Sequence, residues 1–281
     1  MDNKLNQILV EFGLDKCSKE PSVYRKNSGQ DLLIVGVYVD DLFITGTSLE
    51  LIKRFKEEMS SIFEMSDLGR LSYYLGIKIE QHQGGITLNQ RSYALKILEE
   101  AGLQNCNSVH TPMETELTLS RAENEREIDE TVYRKRVGCL RYLLHTRPDL
   151  SFCVGILSRF MSSPRESHGV ALKQCLHYLK GTVGLGLSYG RSRVPKLIGY
   201  SDSSHNADPI DSRSTYGHIF YFGDSPISWC SRKQDVVAMS SCEAEFMAGT
   251  EATKQAIWLQ DLLAEITGSL LERVIIRIDN E

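Results

Sequence analysis

The sequence contains no long hydrophobic run. A helix that crosses a membrane needs about 20 consecutive apolar residues, and no segment of this chain approaches that length. The N-terminus, from Met1 to Lys4, also lacks the basic residues followed by an apolar stretch that mark a secretory signal. These absences predict an intracellular protein without a membrane partner, and they do not distinguish the cytoplasm from the nucleus.

Cysteine pairs with metal-binding spacing are also missing. The seven cysteines are odd in number and widely scattered, and no two of them form a Cys-x-x-Cys pair. A zinc site and a disulfide framework are therefore both disfavoured. Cys139, Cys153 and Cys175 occur within apolar helical patterns, which predicts that they are small core residues rather than ligands.

The composition is that of an ordinary globular protein. Hydrophobic residues make up 41% and charged residues 25% of the chain, which excludes a disordered or fibrous class. The length of 281 residues is sufficient for about two domains, each with its own core.

The net charge of -5 conceals an uneven distribution. Twelve Lys and Arg and only two acids lie between residues 131 and 196, whereas the segments on both sides are acidic. A basic segment between acidic ends is typical of a polyanion-binding surface, although a charge run is also compatible with a solvated helix face. The excess extends over three predicted helices and favours nucleic acid, with Arg134, Lys135 and Arg141 as candidate contacts.

Two adjacent carboxylates stand between two strand-forming apolar runs. Asp40 and Asp41 follow the run 32–37 and precede the run 42–46. Neighbouring anions repel unless a cation or dense hydrogen bonding offsets the repulsion, so a strand-turn-strand with Asp-Asp at its tip suggests a divalent metal. Asp is also common in polar turns, and physical reasoning alone leaves the two interpretations about equally weighted.

A family resemblance favours the metal site. Tyr38-Val39-Asp40-Asp41 in an apolar hairpin resembles the palm motif of reverse transcriptases, whose aspartates hold metal ions. Further motifs, covering nearly the whole chain, resemble Pol polyproteins of copia-type retrotransposons. The motifs that resemble the segment after the palm hairpin are 63–69, 74–77 and 86–93, and those that resemble the ribonuclease H segment are 200–202, 228–234 and 240–246.

The resemblance implies a fold and a function. The implied fold is an α+β partial polymerase palm with a helical connection, followed by a truncated α/β ribonuclease H-like domain. The corresponding segments are residues 1–102 for the C-terminal part of the palm, 103–195 for the linker and basic helical connection, and 196–281 for the ribonuclease H-like domain. The implied activities are RNA-directed DNA synthesis and hydrolysis of RNA in RNA–DNA hybrids. The implied partners are such a hybrid and another Pol chain, and the implied cofactor is Mg²⁺.

Hydrophobic periodicity and turn residues predict the individual elements. Thr47 and Glu50 fit a capping box at the start of a helix. The polar stretch 103–130 is predicted to be a linker or exposed loop. The glycines between 181 and 190 are predicted to mark an irregular segment without a strand or helix. The predicted helices are 48–63, 90–101, 131–146, 149–162, 165–180 and 240–267, the last with a break, and the predicted strands are 71–80, 86–89, 196–202, 215–222, 226–230 and 273–279.

The resemblance also assigns a nuclease site. Hydrolysis of a phosphodiester with two metal ions requires several hard oxygen ligands from different elements, and such ligands suit Mg²⁺. Asp202, Glu243 and Asp279 match the family's first three ligands. Each has a structural alternative, namely a strand-end acid, a helix cap and an exposed chain end, respectively. Glu245 is a rival of Glu243, but two residues along a helix is a rotation of about 200°, so only one faces the metals, and the Ser-Cys-Glu motif selects Glu243.

The sequence departs from the family at both ends. A palm needs another aspartate from an earlier strand, and no residue before Tyr38 belongs to such a motif. The chain also ends at Glu281, before the family's fourth acidic ligand. We therefore expect a fragment of a reverse transcriptase and ribonuclease H that is inactive as a polymerase alone, and the alternative is a non-catalytic remnant that binds nucleic acid or a Pol partner. Asp208, Asp211 and Arg213 are interpreted as structural or phosphate-facing loop residues.

Overall fold

The structure is a computed structural model, and it describes residues 3–29, 31–115, 117–190, 196–268 and 273–278. The chain forms two compact units. The first comprises Met1–Arg70 and Lys254–Val274, and the second comprises Leu71–Thr253 and Ile275–Glu281. The division into three segments at residues 102 and 195 stays a prediction.

The first unit contains a four-stranded antiparallel sheet with helices before and after it. In chain order, its elements are α1 (Asn3–Glu11), β1 (Asp15–Lys16), β2 (Val23–Ser28), β3 (Asp31–Tyr38), β4 (Asp41–Gly46) and α2 (Leu49–Ile62). Leu33, Val35 and Val37 alternate along β3 and are buried, as expected of a strand with one face in the core. Phe55 and Met59, four residues apart, bury the matching face of α2. The predicted hairpin of β3 and β4 is confirmed.

The start of α2 differs from the prediction. Ser48 is the N-cap, and its hydroxyl accepts a hydrogen bond from the backbone N–H of Leu51 at 3.3 Å. The hydroxyl of Thr47 instead accepts a hydrogen bond from the N–H of Leu32 at 2.9 Å. The predicted capping box of Thr47 and Glu50 is therefore wrong, because the hydroxyl of Thr47 is engaged by β3.

Four helices form the main core of the second unit. They are α3 (Arg91–Glu100), α4 (Glu130–Leu143), α5 (Ser151–Leu157) and α6 (Glu166–Gly181). Their facing sides bury apolar residues such as Val137 and Leu176, and the ring of Tyr133, whose hydroxyl donates to the carbonyl of Leu157 at 3.0 Å. The α-helical part of α5 is shorter than the predicted helix, because 3₁₀ turns occupy 148–150 and 158–160.

A second antiparallel sheet includes a strand that the sequence did not predict. Across the sheet, its strands are β5 (Tyr73–Tyr74), β6 (Ile77–His82), β7 (Gly85–Asn89) and β8 (Gly186–Gly190). The prediction of an irregular segment at Gly186 and Gly190 is wrong, because both residues belong to β8. A Cβ on Gly186 would lie 2.2 Å from the carbonyl oxygen of Leu88, so this glycine permits the close approach of β7 and β8.

The third sheet combines antiparallel and parallel pairing. In chain order, its strands and the helix that joins them are β9 (Leu197–Ser204), β10 (Thr215–Phe222), β11 (Ser225–Lys233), α7 (Ser241–Thr267) and β12 (Ile275–Ile278). The strand order is β11-β10-β9-β12, with β12 parallel to β9. The predicted break in α7 is absent, and alanines at 244, 248, 252 and 256 form its buried stripe. Neither α7 nor any other described helix is both long and apolar enough to cross a membrane.

The described residues between α3 and α4 contain no helix, as predicted, but they do not form a free linker. Met113 and Leu119 are buried in the helical core of the second unit. The carboxylate of Glu125 accepts a hydrogen bond from the N–H of Ser167 at 2.7 Å. The expectation of an exposed loop is therefore wrong for these residues, because a few apolar side chains in a polar stretch are sufficient to anchor it.

Candidate active site

The turn between β3 and β4 carries the first pair of candidate ligands. Tyr38 pairs with Asp41 at the end of the ladder, which leaves Val39 and Asp40 as a two-residue turn. The side chains of Asp40 and Asp41 are both exposed. Two solvated carboxylates at a hairpin tip are hard oxygen ligands that a hydrated Mg²⁺ ion can reach.

Val39 adopts a strained backbone conformation in this turn. Its φ angle is 53°, in the left-handed region that β-branched residues rarely adopt. A tight hairpin turn demands a positive φ, and glycine or asparagine usually supplies it. Val39 is 79% exposed, so burial of its side chain does not explain its presence. Strain of this kind concentrates at functional sites, which supports the hairpin tip as a candidate site.

The described residues do not by themselves complete a metal site. Among them, His, Cys, Asp and Glu side chains form no group of three that could hold a metal ion. The metal roles of Asp40 and Asp41, and of the set Asp202, Glu243 and Asp279, therefore stay predictions. Asp279 lies outside the described residues.

The second candidate site is the C-terminal end of β9. Asp202 is exposed and pairs with Gly217 of β10. On the opposite edge of β9, the described ladder with β12 runs as far as the pair Ser201 and Ile278. Ser203 lies two residues further along β9.

Glu245 of α7 binds β9 at Ser203. One oxygen of its carboxylate, Oε1, accepts hydrogen bonds from the backbone N–H of Ser203 at 3.0 Å and from the Ser203 hydroxyl at 2.9 Å. The other oxygen, Oε2, is buried and has no hydrogen-bond partner among the described residues. Leaving a buried carboxylate oxygen unsatisfied is costly, so this atom has the character of a ligand oxygen that awaits a cation or a donor.

Glu243 is engaged differently. Its Oε2 accepts a hydrogen bond from the backbone N–H of Met239 at 2.7 Å, and its own N–H donates to the Ser240 hydroxyl at 3.1 Å. These bonds are of the helix-capping type, which was the structural alternative for this residue. The geometry thus brings Glu245 to the residue after Asp202, and it holds Glu243 at the start of α7.

The three candidate nucleic-acid contacts on α4 lie in different surroundings. Arg134 forms an ion pair with Glu130, and its Nε donates to the carbonyl of Met161 at 2.8 Å. Lys135 lies 2.7 Å from a carboxylate oxygen of Glu100. Arg141 has no ion-pair partner among the described carboxylates, and it lines a groove between α4, α5 and β11.

The loop after β9 contains a buried ion cluster. The side chain of Asp208 is 2% exposed, and its Oδ2 lies 2.5 Å from Nζ of Lys233 and 3.0 Å from Nη1 of Arg159. Burial raises the pKa of Asp208, but Lys233, a backbone N–H and Arg159 outweigh it, so the pKa is lowered overall. Asp211 shares Lys233 at 2.7 Å. Of the two interpretations of this loop, the cluster supports the structural one for Asp208.

The comparisons with known proteins agree with the reverse transcriptase motifs of the sequence. Residues 1–115 match the family described as reverse transcriptase (RNA-dependent DNA polymerase). The chain is 36% identical to the Pol polyprotein from transposon RE1 of Arabidopsis thaliana over 99% of its own length and 19% of that protein. It is 37% identical to the Pol polyprotein from transposon TNT 1-94 of Nicotiana tabacum over 89% of its own length and 20% of that protein.

A shorter relative is covered almost completely. The chain is 30% identical to a putative transposon Ty5-1 protein of Saccharomyces cerevisiae, over 89% of its own length and 82% of that protein. By contrast, the chain spans about a fifth of the length of the Pol polyproteins that it matches. The chain belongs to the Pol family of copia-type retrotransposons, and its N-terminal part is a reverse transcriptase-like domain.

Proposed function

We propose that this chain acts on RNA–DNA hybrids as part of a reverse transcriptase and ribonuclease H, and that residues 196–281 hydrolyse the RNA strand. One observation carries the proposal. Near the start of α7, the Glu245 carboxylate binds Ser203, the residue that follows Asp202 on β9, and one of its oxygens has no hydrogen-bond partner among the described residues.

The donor set at this end of β9 suits the chemistry. Asp202 and Glu245 are carboxylates, and no Lys or Arg forms an ion pair with either among the described residues. When bound, Mg²⁺ activates water and stabilises the leaving oxygen of a phosphodiester. Asp202 and Glu245 would hold it, together with the predicted ligand Asp279. Glu243, whose carboxylate caps α7, would position the first turn of the helix.

The palm hairpin supports the relationship to reverse transcriptases more strongly than it supports polymerase activity of this chain. Asp40 and Asp41 would hold Mg²⁺ from one side, and no described carboxylate joins them in a group of three. We propose hydrolysis of hybrids as the activity of this chain, and the metal role of Asp40 and Asp41 stays a prediction.

The test is cleavage of a hybrid whose RNA strand carries a label, with and without Mg²⁺. We expect Mg²⁺-dependent cleavage by the full chain and a loss of at least about 100-fold in the Asp202→Asn variant. Asp224→Asn is the matched control, since Asp224 is an exposed acid in the same sheet, between β10 and β11. Equal activity of the two variants, or cleavage that does not require a divalent metal, would overturn the proposal.

A second candidate function is binding of nucleic acid without catalysis. The basic segment 131–196 favours it, because twelve Lys and Arg there face only two acids. The same hybrid, used in a binding assay, separates the two functions. Binding that is equal in wild type and Asp202→Asn, without any cleavage, would support the second function over the first.

A further inference from the structure

A groove in the second unit is unused by the proposed nuclease site. It lies between α4, α5 and β11 and has a volume of about 660 Å³, within the range of about 300 to 1,000 Å³ that is usual for ligand sites. Its walls are formed by residues 141–161 on the helical side and by residues 227–232 on the strand side. The groove is therefore bounded by the basic helical segment and by an edge strand of the third sheet.

The charge of the groove is of one sign. Its described lining includes Arg141, Arg232 and His145, but no Asp or Glu. No described carboxylate forms an ion pair with Arg141 or Arg232, in contrast to Arg134 and Lys135. Two arginines without an ion-pair partner among the described residues, both lining one groove, attract an anion, and guanidinium groups match the geometry of phosphate oxygens.

A buried hydroxyl in the lining is unsatisfied. The Oγ of Ser151 is buried and has no hydrogen-bond partner among the described residues. A buried hydroxyl without a partner is unfavourable, and it becomes favourable when a ligand supplies an acceptor. A phosphate oxygen in the groove is such an acceptor.

The groove also has an aromatic wall. Trp229 on β11 lines it, and the indole N–H donates to the carbonyl of Leu144 at 3.0 Å, which fixes the orientation of the ring. An oriented indole beside cations is the arrangement on which an unpaired base stacks while its phosphate is neutralised. A double helix exposes no base face, so the groove fits a single strand better than a duplex.

We propose that this groove binds a nucleotide unit of single-stranded nucleic acid, with its phosphate at Arg141, Arg232 and Ser151 and its base against Trp229. The inference deepens the proposed function and rests on it, because a chain that processes hybrids encounters the single strand that cleavage exposes. The site is separate from Asp202 and Glu245, neither of which lines the groove.

The fluorescence of Trp229 tests the proposal directly. The chain contains two tryptophans, and the other is Trp258, so Trp258→Phe leaves Trp229 as the only reporter. We expect a single-stranded DNA of about ten nucleotides to quench its emission saturably. In the same background, Arg141→Gln and Arg232→Gln should each weaken the affinity about 5-fold or more. Each should also reduce the slope of log affinity against log salt concentration by about 0.7, the value expected for one lost phosphate contact. Ser151→Ala should weaken it about 3-fold.

Controls distinguish the site from general charge attraction. Arg121→Gln removes the same charge from a residue that already lies 4.0 Å from Glu123, and it should leave the affinity unchanged. Circular dichroism and thermal unfolding of each variant confirm that the fold is retained. Displacement of the oligonucleotide by inorganic phosphate at equal concentration would show an anion site only and overturn the nucleotide assignment.

Two further outcomes would also overturn the proposal that the groove binds a nucleotide. One is binding of the oligonucleotide without a change in Trp229 emission, and the other is equal affinity of Arg141→Gln and the wild type. Cleavage of the labelled hybrid, measured on the same protein, reports on the proposed function separately. If the hybrid is cleaved but the oligonucleotide does not bind in the groove, the groove proposal is wrong. If the oligonucleotide quenches Trp229 but the hybrid is not cleaved, the proposed function is wrong.

Discussion

Glu245 accepts two hydrogen bonds from Ser203, one from the backbone N–H at 3.0 Å and one from the hydroxyl at 2.9 Å. The contact joins the N-terminal part of α7 to the strand that carries Asp202. It uses only one carboxylate oxygen, and the other is buried without a described partner. Two glutamates that differ by two positions on α7 are thereby separated into a residue that faces β9 and a residue that caps the helix.

The first prediction separates these two glutamates. Glu245→Gln should lower Mg²⁺-dependent hybrid cleavage by about 100-fold or more, because it removes the anionic oxygen proposed to hold the metal beside Ser203. Glu243→Gln should lower the rate only a few fold, since an amide oxygen still accepts the bond from Met239. The measurement is the single-turnover rate at saturating enzyme. A large loss in Glu243→Gln, with a small loss in Glu245→Gln, would restore Glu243 as the ligand.

The second prediction concerns the buried ion cluster. Asp208→Asn should lower the free energy of unfolding by about 2 kcal/mol, because it leaves Arg159 and Lys233 without their buried counter-charge. The control is Asp211→Asn, which removes a more exposed partner of the same lysine and should cost less than about 1 kcal/mol. Urea unfolding measures both. Equal effects would show that burial of Asp208 does not strengthen its pairing.

The elements were largely predictable from the sequence, because their signals are local. The alternation of Leu33, Val35 and Val37 and the four-residue alanine spacing of α7 each report the buried face of one element. β8 was not predictable in this way. Its glycines carry no side-chain pattern, and only the approach of the Leu88 carbonyl shows why Gly186 is required.

The site was less predictable, because it depends on which face of α7 meets the sheet. Gly249 lies four residues after Glu245, and a Cβ there would lie 3.0 Å from the Ile278 side chain. A small residue at that spacing marks the face that approaches the strands, and it is a signal in the sequence that favours Glu245. The ion cluster of Asp208 offered no such signal, since Arg159 and Lys233 are distant from it along the chain.

The third prediction concerns the turn of the palm hairpin. Val39→Gly should raise the free energy of unfolding by about 1 kcal/mol, because glycine adopts a φ of 53° without the steric cost of a β-branched side chain. Removal of the Val39 side chain costs little buried apolar surface, because that side chain is exposed. Val10→Gly is a control in which an exposed valine with ordinary helical backbone becomes glycine, and it should destabilise. A loss of stability in Val39→Gly would mean that the turn is not strained.

The fourth prediction is a pH dependence in the first unit. Hydrogen bonds from the thiol of Cys17 and from Ser18 lower the pKa of Glu265 from 4.5 to about 2. The carboxylate is favoured in the folded state, so its contribution to stability is present above about pH 4.5 and is lost as the pH falls toward about 2. Glu265→Gln should therefore be less stable than the wild type at neutral pH, and the difference should shrink through this range.

The measurement is urea unfolding at several pH values, made in a Trp229→Phe background so that the fluorescence comes from Trp258, which lies in the same unit and donates to the carbonyl of Lys19. Glu57→Gln is the matched control, since Glu57 is an exposed glutamate of α2 in that unit. Its difference from the wild type should stay small and constant. A stability difference for Glu265→Gln that persists unchanged below about pH 3 would contradict the assignment, because a protonated Glu265 no longer has the charge that strengthens the bonds from Cys17 and Ser18.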